Sequence, residues 1–480
     1  MTAPTPAHIL DYRAPEYDEA AVKLRGTLPE WLRGSLIRTA AAGFCEGAFS
    51  AAHLFDALCS ICAFELKPDG SIIYRQRLLE SQQRKQLQSG QNVTPHFYTD
   101  MRRPPLERLL SPVPRSNDNT NVNILPFADE LVAMTETNVQ HSIDRDTLRT
   151  LGHVRYDDEH RNKLFMLAHP RLDRARGLIV NVGTLIGSSP ALVVYEHVFR
   201  EHKRRILARI AMTELPYMHS FGLTPQHALL FAGPLLLSPW RLLWSERGFI
   251  RHFRYRPERG SRIYCVDRAT GSVRTHRAPP LFVFHVIHAF ERSDETVLDV
   301  LAYDDPSIIE SLSVASLRRA WPEVNPRPLR MVLRRNSEEV SVEPLCDDSF
   351  EFPTLHEPAS DGHGYRNVWG ATGSTQGSEY RSGIVHLDPE RGTVSRFEES
   401  GFAFGEPLFV PRPGASDERD GALLSVASHL SEPRSALVVL DADSLTVRAW
   451  GELDRPTPFS FHGCFLTERT VLPQAGQGGT

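Results

Sequence analysis

Cysteine is scarce in this sequence, with 6 in 480 residues. So few thiols in so long a chain build no disulfide framework, and the reducing cytoplasm is the expected compartment. Cys59 and Cys62 have CxxC spacing, but no second pair follows at zinc-site distance. In their apolar run they are expected to be two buried strand residues. A basic excess is also missing: 54 Lys and Arg face 59 Asp and Glu, for a net charge of −5. That balance argues against nucleic acid as a partner, because phosphates need cations to neutralise them. No run of about 18 apolar residues is present to span a membrane as a helix. The first 20 residues carry Pro, Asp and Glu and lack the apolar stretch of a signal peptide. Gly-rich phosphate loops, His-Glu-x-x-His and Gly-x-Ser-x-Gly are absent, so P-loop, zincin and serine-hydrolase chemistries have no motif to rest on. Helical patterns are few. The clearest covers residues 305–321, where Asp305 can cap, Pro306 suits the first position, and Ile308, Ile309, Leu312 and Leu317 are spaced partly as in a helix.

What the chain has instead is a recurring hairpin. An apolar residue and an aspartate lead into a short turn at Ile143-Asp144, Val266-Asp267, Leu387-Asp388 and Leu440-Asp441. Such an aspartate can bond its own backbone two residues on. Pro68-Asp69-Gly70 is a further turn, between Phe64-Glu65-Leu66 and Ile72-Ile73-Tyr74. Units spread along the whole chain suggest the blades of one all-β propeller over residues 1–480 rather than separate domains. Non-strand insertions are expected around residues 93–114 and 189–209, and a frayed tail over 476–480. Residues 235–244 stand apart: Leu235, Leu236, Leu237, Trp240, Leu242, Leu243 and Trp244 are followed by Arg247, Arg251, Arg254 and Arg256. That composition suits a helix or loop lying in a membrane interface, or a buried helix with a basic, solvated end.

The chain has 20 histidines, and four sit in apolar, strand-like settings: His169 in Leu167-Ala168-His169-Pro170, His219 in Tyr217-Met218-His219-Ser220, His285 in Phe282-Val283-Phe284-His285, and His462 in Phe459-Ser460-Phe461-His462. A propeller brings distant strands to one axis, so ligands far apart in sequence are plausible there. Taken singly, each histidine is more often a hydrogen-bonded core residue than a ligand. Taken together, imidazoles suit iron, zinc or copper. A ligating imidazole needs its other nitrogen fixed, usually by a carboxylate. Glu136, Glu351 and Glu406, each flanked by apolar or small residues, are the candidates.

These segments resemble the carotenoid cleavage oxygenases. The resemblance runs from about Leu24 to Phe465. It includes Leu28-Pro29-Glu30-Trp31-Leu32-Arg33-Gly34, His53-Leu54-Phe55-Asp56, Asn119-Thr120-Asn121-Val122, and His219-Ser220-Phe221-Gly222-Leu223-Thr224. Phe284-His285, Phe350-Glu351-Phe352-Pro353, Gly405-Glu406-Pro407-Leu408-Phe409 and Phe461-His462-Gly463 follow in the same order. The resemblance implies a seven-bladed β-propeller, with a dome of loops and short helices over an axial metal site. It implies iron(II) on His169, His219, His285 and His462, with Glu136, Glu351 and Glu406 bracing His219, His285 and His462 respectively. The implied reaction splits a conjugated C=C bond into two carbonyls with O2 and no organic cofactor.

Three departures stand out. The family's usual Arg-Asn-Gly-Pro-Gly reads Arg38-Thr39-Ala40-Ala41-Ala42-Gly43, and its Phe-Asp-Gly reads Phe55-Asp56-Ala57; both are expected to alter turns away from the ligands. His288 stands where Asn is common. It is expected on the opposite strand face from His285, in a structural role. Thr135 occupies the position where stilbene-cleaving relatives carry a lysine, which favours a carotenoid or apocarotenoid substrate over a phenol. A membrane-dissolved substrate would give residues 235–244 a docking role. A stilbene-cleaving enzyme, a retinoid isomerase and a non-catalytic binding propeller remain as alternatives.

Overall fold

The strand Ile72–Leu78 buries every second residue, the period of a strand with one face inward. Leu58–Leu66 is buried at nearly every position, as a strand covered on both faces must be. Repetition of such strands builds the computed structural model, which describes residues 7–47, 49–91, 96–110, 116–127, 130–160, 163–199, 201–356, 364–376 and 379–467.

Seven sheets of four to six antiparallel strands form a β-propeller. Blade 1 joins Tyr17–Ala21, Ile72–Leu78, Leu58–Leu66, Gly34–Gly43 and the late strand Phe459–Leu466. Blades 2 to 6 follow in chain order. Blade 7 joins the early strand Lys23–Gly26 to Val447–Leu453, Ser435–Asp441, Gly421–His429 and Phe402–Phe404. Early and late strands thus cross between the first and last blades, pairing Ala40 with Ser460 and Lys23 with Glu452. Apolar contact continues from blade to blade. Ile37 and Ile61 of blade 1 pack with Ile124, Leu131 and Ile143 of blade 2.

The aspartate-led turns all close hairpins. Asp144, Asp267, Asp388 and Asp441 each accept the backbone N–H three residues on. Each carbonyl also accepts the N–H of the fourth residue, and that residue has positive φ: Leu148 at 57°, Gly271 at 73°, Gly392 at 65° and Leu445 at 55°. Cys59 and Cys62 are buried and free. They face opposite sides of their strand, into different apolar clusters.

Several expectations need correction. Residues 189–209 are not an insertion but mostly the strands Ala191–Val198 and Arg205–Ala211 of blade 3; the alternation of Arg205–Ala211 is irregular, which hid it. Residues 305–321 hold two short helices, Ser307–Ser311 and Val314–Leu317. Asp305 accepts the Ser307 N–H at 2.8 Å but is not the cap, because Pro306 occupies the N-cap of the first helix and not its first turn; the Ser313 hydroxyl accepts the Ser316 N–H and starts a new helix. Arg38 to Gly43 form no turn, because Gly34–Gly43 is one continuous strand. Residues 235–244 are not one helix: Leu235–Leu237 is a strand and Pro239–Leu242 a 3-10 turn. Residues 96–110 contain the helix Pro105–Leu110 and no strand, and the tail 476–480 lies outside the described residues.

Candidate metal centre

Each blade contributes one of the seven residues singled out above. His462 lies on Phe459–Leu466 of blade 1 and His285 on Phe282–Arg292 of blade 5, beside a register shift. His169 and His219 sit where a strand is interrupted: between Leu164–Met166 and Arg171–Asp173, and between Leu215–Pro216 and Gly222–Leu223. Glu351 opens Glu351–Thr354 of blade 6, Glu406 fills the gap between Phe402–Phe404 and Leu408–Pro411 of blade 7, and Glu136 follows Glu130–Met134 of blade 2. Interruptions matter because an unbroken strand must alternate its side chains. A gap lets an imidazole turn toward the axis.

One nitrogen from each of the four histidines lies within 4.8 Å of the others. His169 Nε2 is 3.0 Å from His219 Nε2, and His285 Nε2 is 3.2 Å from His462 Nε2. In three of the four, the opposite nitrogen meets a carboxylate. His219 Nδ1 donates to Glu136, His285 Nδ1 to Glu351 at 2.6 Å, and His462 Nδ1 to Glu406 at 2.7 Å. An ionised carboxylate only accepts, so each of these Nδ1 atoms carries the proton. Burial pulls the His285 pKa down to about 4, and burial with neighbouring imidazoles pulls His169 well below its ordinary value. Neutral His285, protonated on Nδ1, therefore turns a lone pair toward His462. A lone pair buried there offers a cation a ligand. The donor set fits a transition-metal ion with imidazole ligands.

Sequence reasoning missed Arg38. Its guanidinium is fully buried, bonds Glu406 Oε2 at 2.6 Å and the Glu406 carbonyl at 2.6 Å, and reaches the Phe461 carbonyl at 3.0 Å. Burial alone would raise the Glu406 carboxyl pKa; the nearby His462 and Arg38 outweigh it and hold it below the usual range. An arginine inside an apolar strand run was the available clue. Tyr217 also went unnoticed: its hydroxyl donates to the second oxygen of Glu136 at 3.2 Å. Phe352 has a φ of 55°, a costly conformation for a non-glycine residue. A bulge in the pairing between Glu351 and Thr354 accompanies it. Consecutive Glu351 and Phe352 thereby both reach His285, the phenyl ring at 5.5 Å between centroids. His288 lies outside the cluster, with Phe290 and Tyr365 as its ring neighbours.

Two apolar cavities share Phe55 and Val122. One of about 110 Å³ touches His219, His285 and His462, under Leu54, Ile308 and Trp321. The other, about 290 Å³, runs past Thr135 and Glu136 to Trp240, Leu243 and Arg247. Trp240 on that wall is 70% exposed, and Trp244, four residues on, is 57% exposed. Leu109 and Leu110 of Pro105–Leu110 are also exposed, and Arg108 of that helix pairs with Glu246. Leu235, Leu237 and Leu242, by contrast, are buried. Among the described residues no helix is long and apolar enough to cross a membrane.

The architecture is that of a seven-bladed propeller with histidines gathered from separate blades into one site. The sequence profile of the retinal pigment epithelial membrane protein family matches residues 12–467, and the chain belongs to that family. It is 28% identical to the carotenoid isomerooxygenase of Galleria mellonella, over 94% of each chain. Against the human beta,beta-carotene 15,15'-dioxygenase the identity is 27%, covering 95% of this chain and 94% of the relative. In structure it resembles the Synechocystis apocarotenoid oxygenase, as a variant and as a cobalt-substituted form, each with a TM-score of 0.83, 24% identity and coverage of 97% and 100%. Dioxygenase chemistry on carotenoids is thus a property of its family.

Proposed function

We propose that this chain is a non-haem iron(II) dioxygenase that cleaves one conjugated C=C bond of a carotenoid or apocarotenoid to two carbonyl products. His169, His219, His285 and His462 would hold the metal, and Glu136, Glu351 and Glu406 would fix three of the rings. The observation that carries this reading is the His285 and His462 Nε2 pair, 3.2 Å apart at the wall of an aromatic cavity. Iron(II), when bound there, supplies the redox chemistry that makes O2 reactive toward an alkene. The protein's own residues do the rest. The glutamates keep the protons on Nδ1, so the metal-facing nitrogens stay free. Phe284 and Phe461, whose ring centroids lie 6.4 and 5.5 Å from that of Phe55 in edge-to-face contact, give a polyene an apolar lining and exclude water. Thr135 places a neutral group on the cavity wall, which favours a polyene over an ionising phenol.

Trp240 and Arg247 line the larger cavity, Trp244, Leu109 and Leu110 are exposed, and Arg241 lies near Arg247, Arg254 and Arg256. This surface supports peripheral docking to an anionic membrane, from which a dissolved polyene would enter directly. The test of the reaction is anaerobic purification with metal analysis, then addition of an apocarotenal in detergent and admission of O2. About one iron per chain and two shorter carbonyl products are expected. Iron bound with the apocarotenal intact, but a stilbene cleaved, would replace the substrate assignment. Failure to bind iron after reconstitution would overturn the reading. The double-bond geometry of the products reports whether isomerisation accompanies cleavage.

A further inference from the structure

Away from the axis, blade 2 carries a second convergence of metal-binding side chains. We propose that Asp118, His141 and His153 form a binding site for a borderline divalent cation of the zinc(II) type. His141 and His153 are direct cross-strand partners on Gln140–Ile143 and Thr150–His153. Both aim Nε2 at one atom, Asp118 Oδ2: His153 from 3.2 Å and His141 from 3.5 Å. The ligand atoms of the three residues all lie within 4.8 Å of one another.

Hydrogen bonding alone accounts poorly for this arrangement. The Gln82 N–H already donates to Oδ2 at 2.7 Å, and the Gln83 N–H to Oδ1 at 2.9 Å. Three groups therefore aim at one oxygen that offers two lone pairs. His141 stands beyond ordinary N–H···O range. Donors bound tetrahedrally at zinc distances lie about 3.3 Å from one another, and the two observed separations straddle that value. His141 Nδ1 meets Thr120 Oγ1 at 3.1 Å, which fits a ring whose N–H is held by a neighbour while Nε2 is free for an ion. Asp118 and His141 are buried, whereas the His153 side chain is 44% exposed. That open side leaves room for an ion to arrive and for water as a further ligand.

None of these residues belongs to the axial cluster. The ion would join the start of the helix Gln82–Gln88, through Asp118, to blade 2. Asn117 and Asn119, on either side of Asp118, line the larger cavity, so a bound ion would also stiffen that wall. The test titrates zinc(II) into the purified protein carrying its axial metal, with iron content followed in parallel, beside His153→Ala. His153 is exposed enough for this variant to fold, which circular dichroism verifies. The wild type should bind about one zinc equivalent beyond the axial metal and melt at a higher temperature with zinc; His153→Ala should lose both effects. Cobalt(II) in place of zinc should give visible d–d bands only in the wild type. Equal zinc uptake by both proteins, or no uptake beyond iron replacement, overturns the proposal and leaves a hydrogen-bonded brace.

Discussion

Replacing Arg38 by methionine removes a cation and keeps most of its stem volume. In the native chain this guanidinium is 1% exposed and makes three bonds, two to Glu406 and one to the Phe461 carbonyl. Arg38→Met leaves the Glu406 carboxylate buried with His462 as its remaining partner. Breaking a buried pair from one side costs about 3–5 kcal/mol, and losing a group that orients a metal-bound imidazole lowers metal affinity about 10–100-fold. Urea unfolding measures the first and chelator competition the second. A pH series adds a direction. The Glu406 carboxyl is held below its ordinary value, so its contribution is full above that value and is lost as pH falls through the depressed one. Without Arg38 one of the two groups that hold the carboxyl pKa down is gone, so the pKa rises and the loss begins at higher pH. An Arg38→Met protein that is less stable, yet keeps wild-type metal affinity at every pH, would refute the link from Arg38 through Glu406 to His462.

Two other perturbations test separate parts of the argument. His53 is fully buried, donates Nε2–H to the Ile309 carbonyl and accepts the Phe55 N–H on Nδ1, and burial pulls its pKa from 6.5 to about 4. The unfolded chain binds the proton first, so stability falls as pH drops from about 6.5 toward 4, on the order of 3 kcal/mol for this residue. His53→Gln should flatten that slope in urea titrations at pH 7 and pH 4.5; an unchanged slope removes the assignment. Trp244→Ser, at an exposed residue that lines neither apolar cavity, should weaken co-flotation with anionic vesicles and leave cleavage of a detergent-dispersed substrate unchanged. A wild type that never floats, at any salt concentration, ends the membrane reading.

Local chemistry was legible where it acts locally. Asp144, Asp267, Asp388 and Asp441 each complete their turn within five residues, so composition and order sufficed to place four hairpins. His169, His219, His285 and His462 were picked out by apolar settings and by the family pattern. Arg38 was not, because its partner Glu406 lies 368 residues away and the surrounding motif departs from the family's usual glycines. The strand Arg205–Ala211 lacked the alternation that would have announced it. The helix expected over 305–321 divided because the Ser313 hydroxyl offered a local cap that outcompeted continuation. At 235–244 apolar composition was visible, but not the split between buried leucines and exposed tryptophans.

By itself the sequence determined the strand-and-turn grammar and the residue types able to bind a metal, since both depend on neighbours along the chain. Only the tertiary structure decided that seven blades close through the pairing of Gly34–Gly43 with Phe459–Leu466 and of Lys23–Gly26 with Val447–Leu453. That closure sets four imidazoles and three carboxylates at distances no spacing encodes. It also decided that Asp118, His141 and His153 meet at one oxygen atom. Both convergences arise from ring closure and cross-strand register, whose contacts join positions far apart in the chain and exist only once the whole sheet set has assembled.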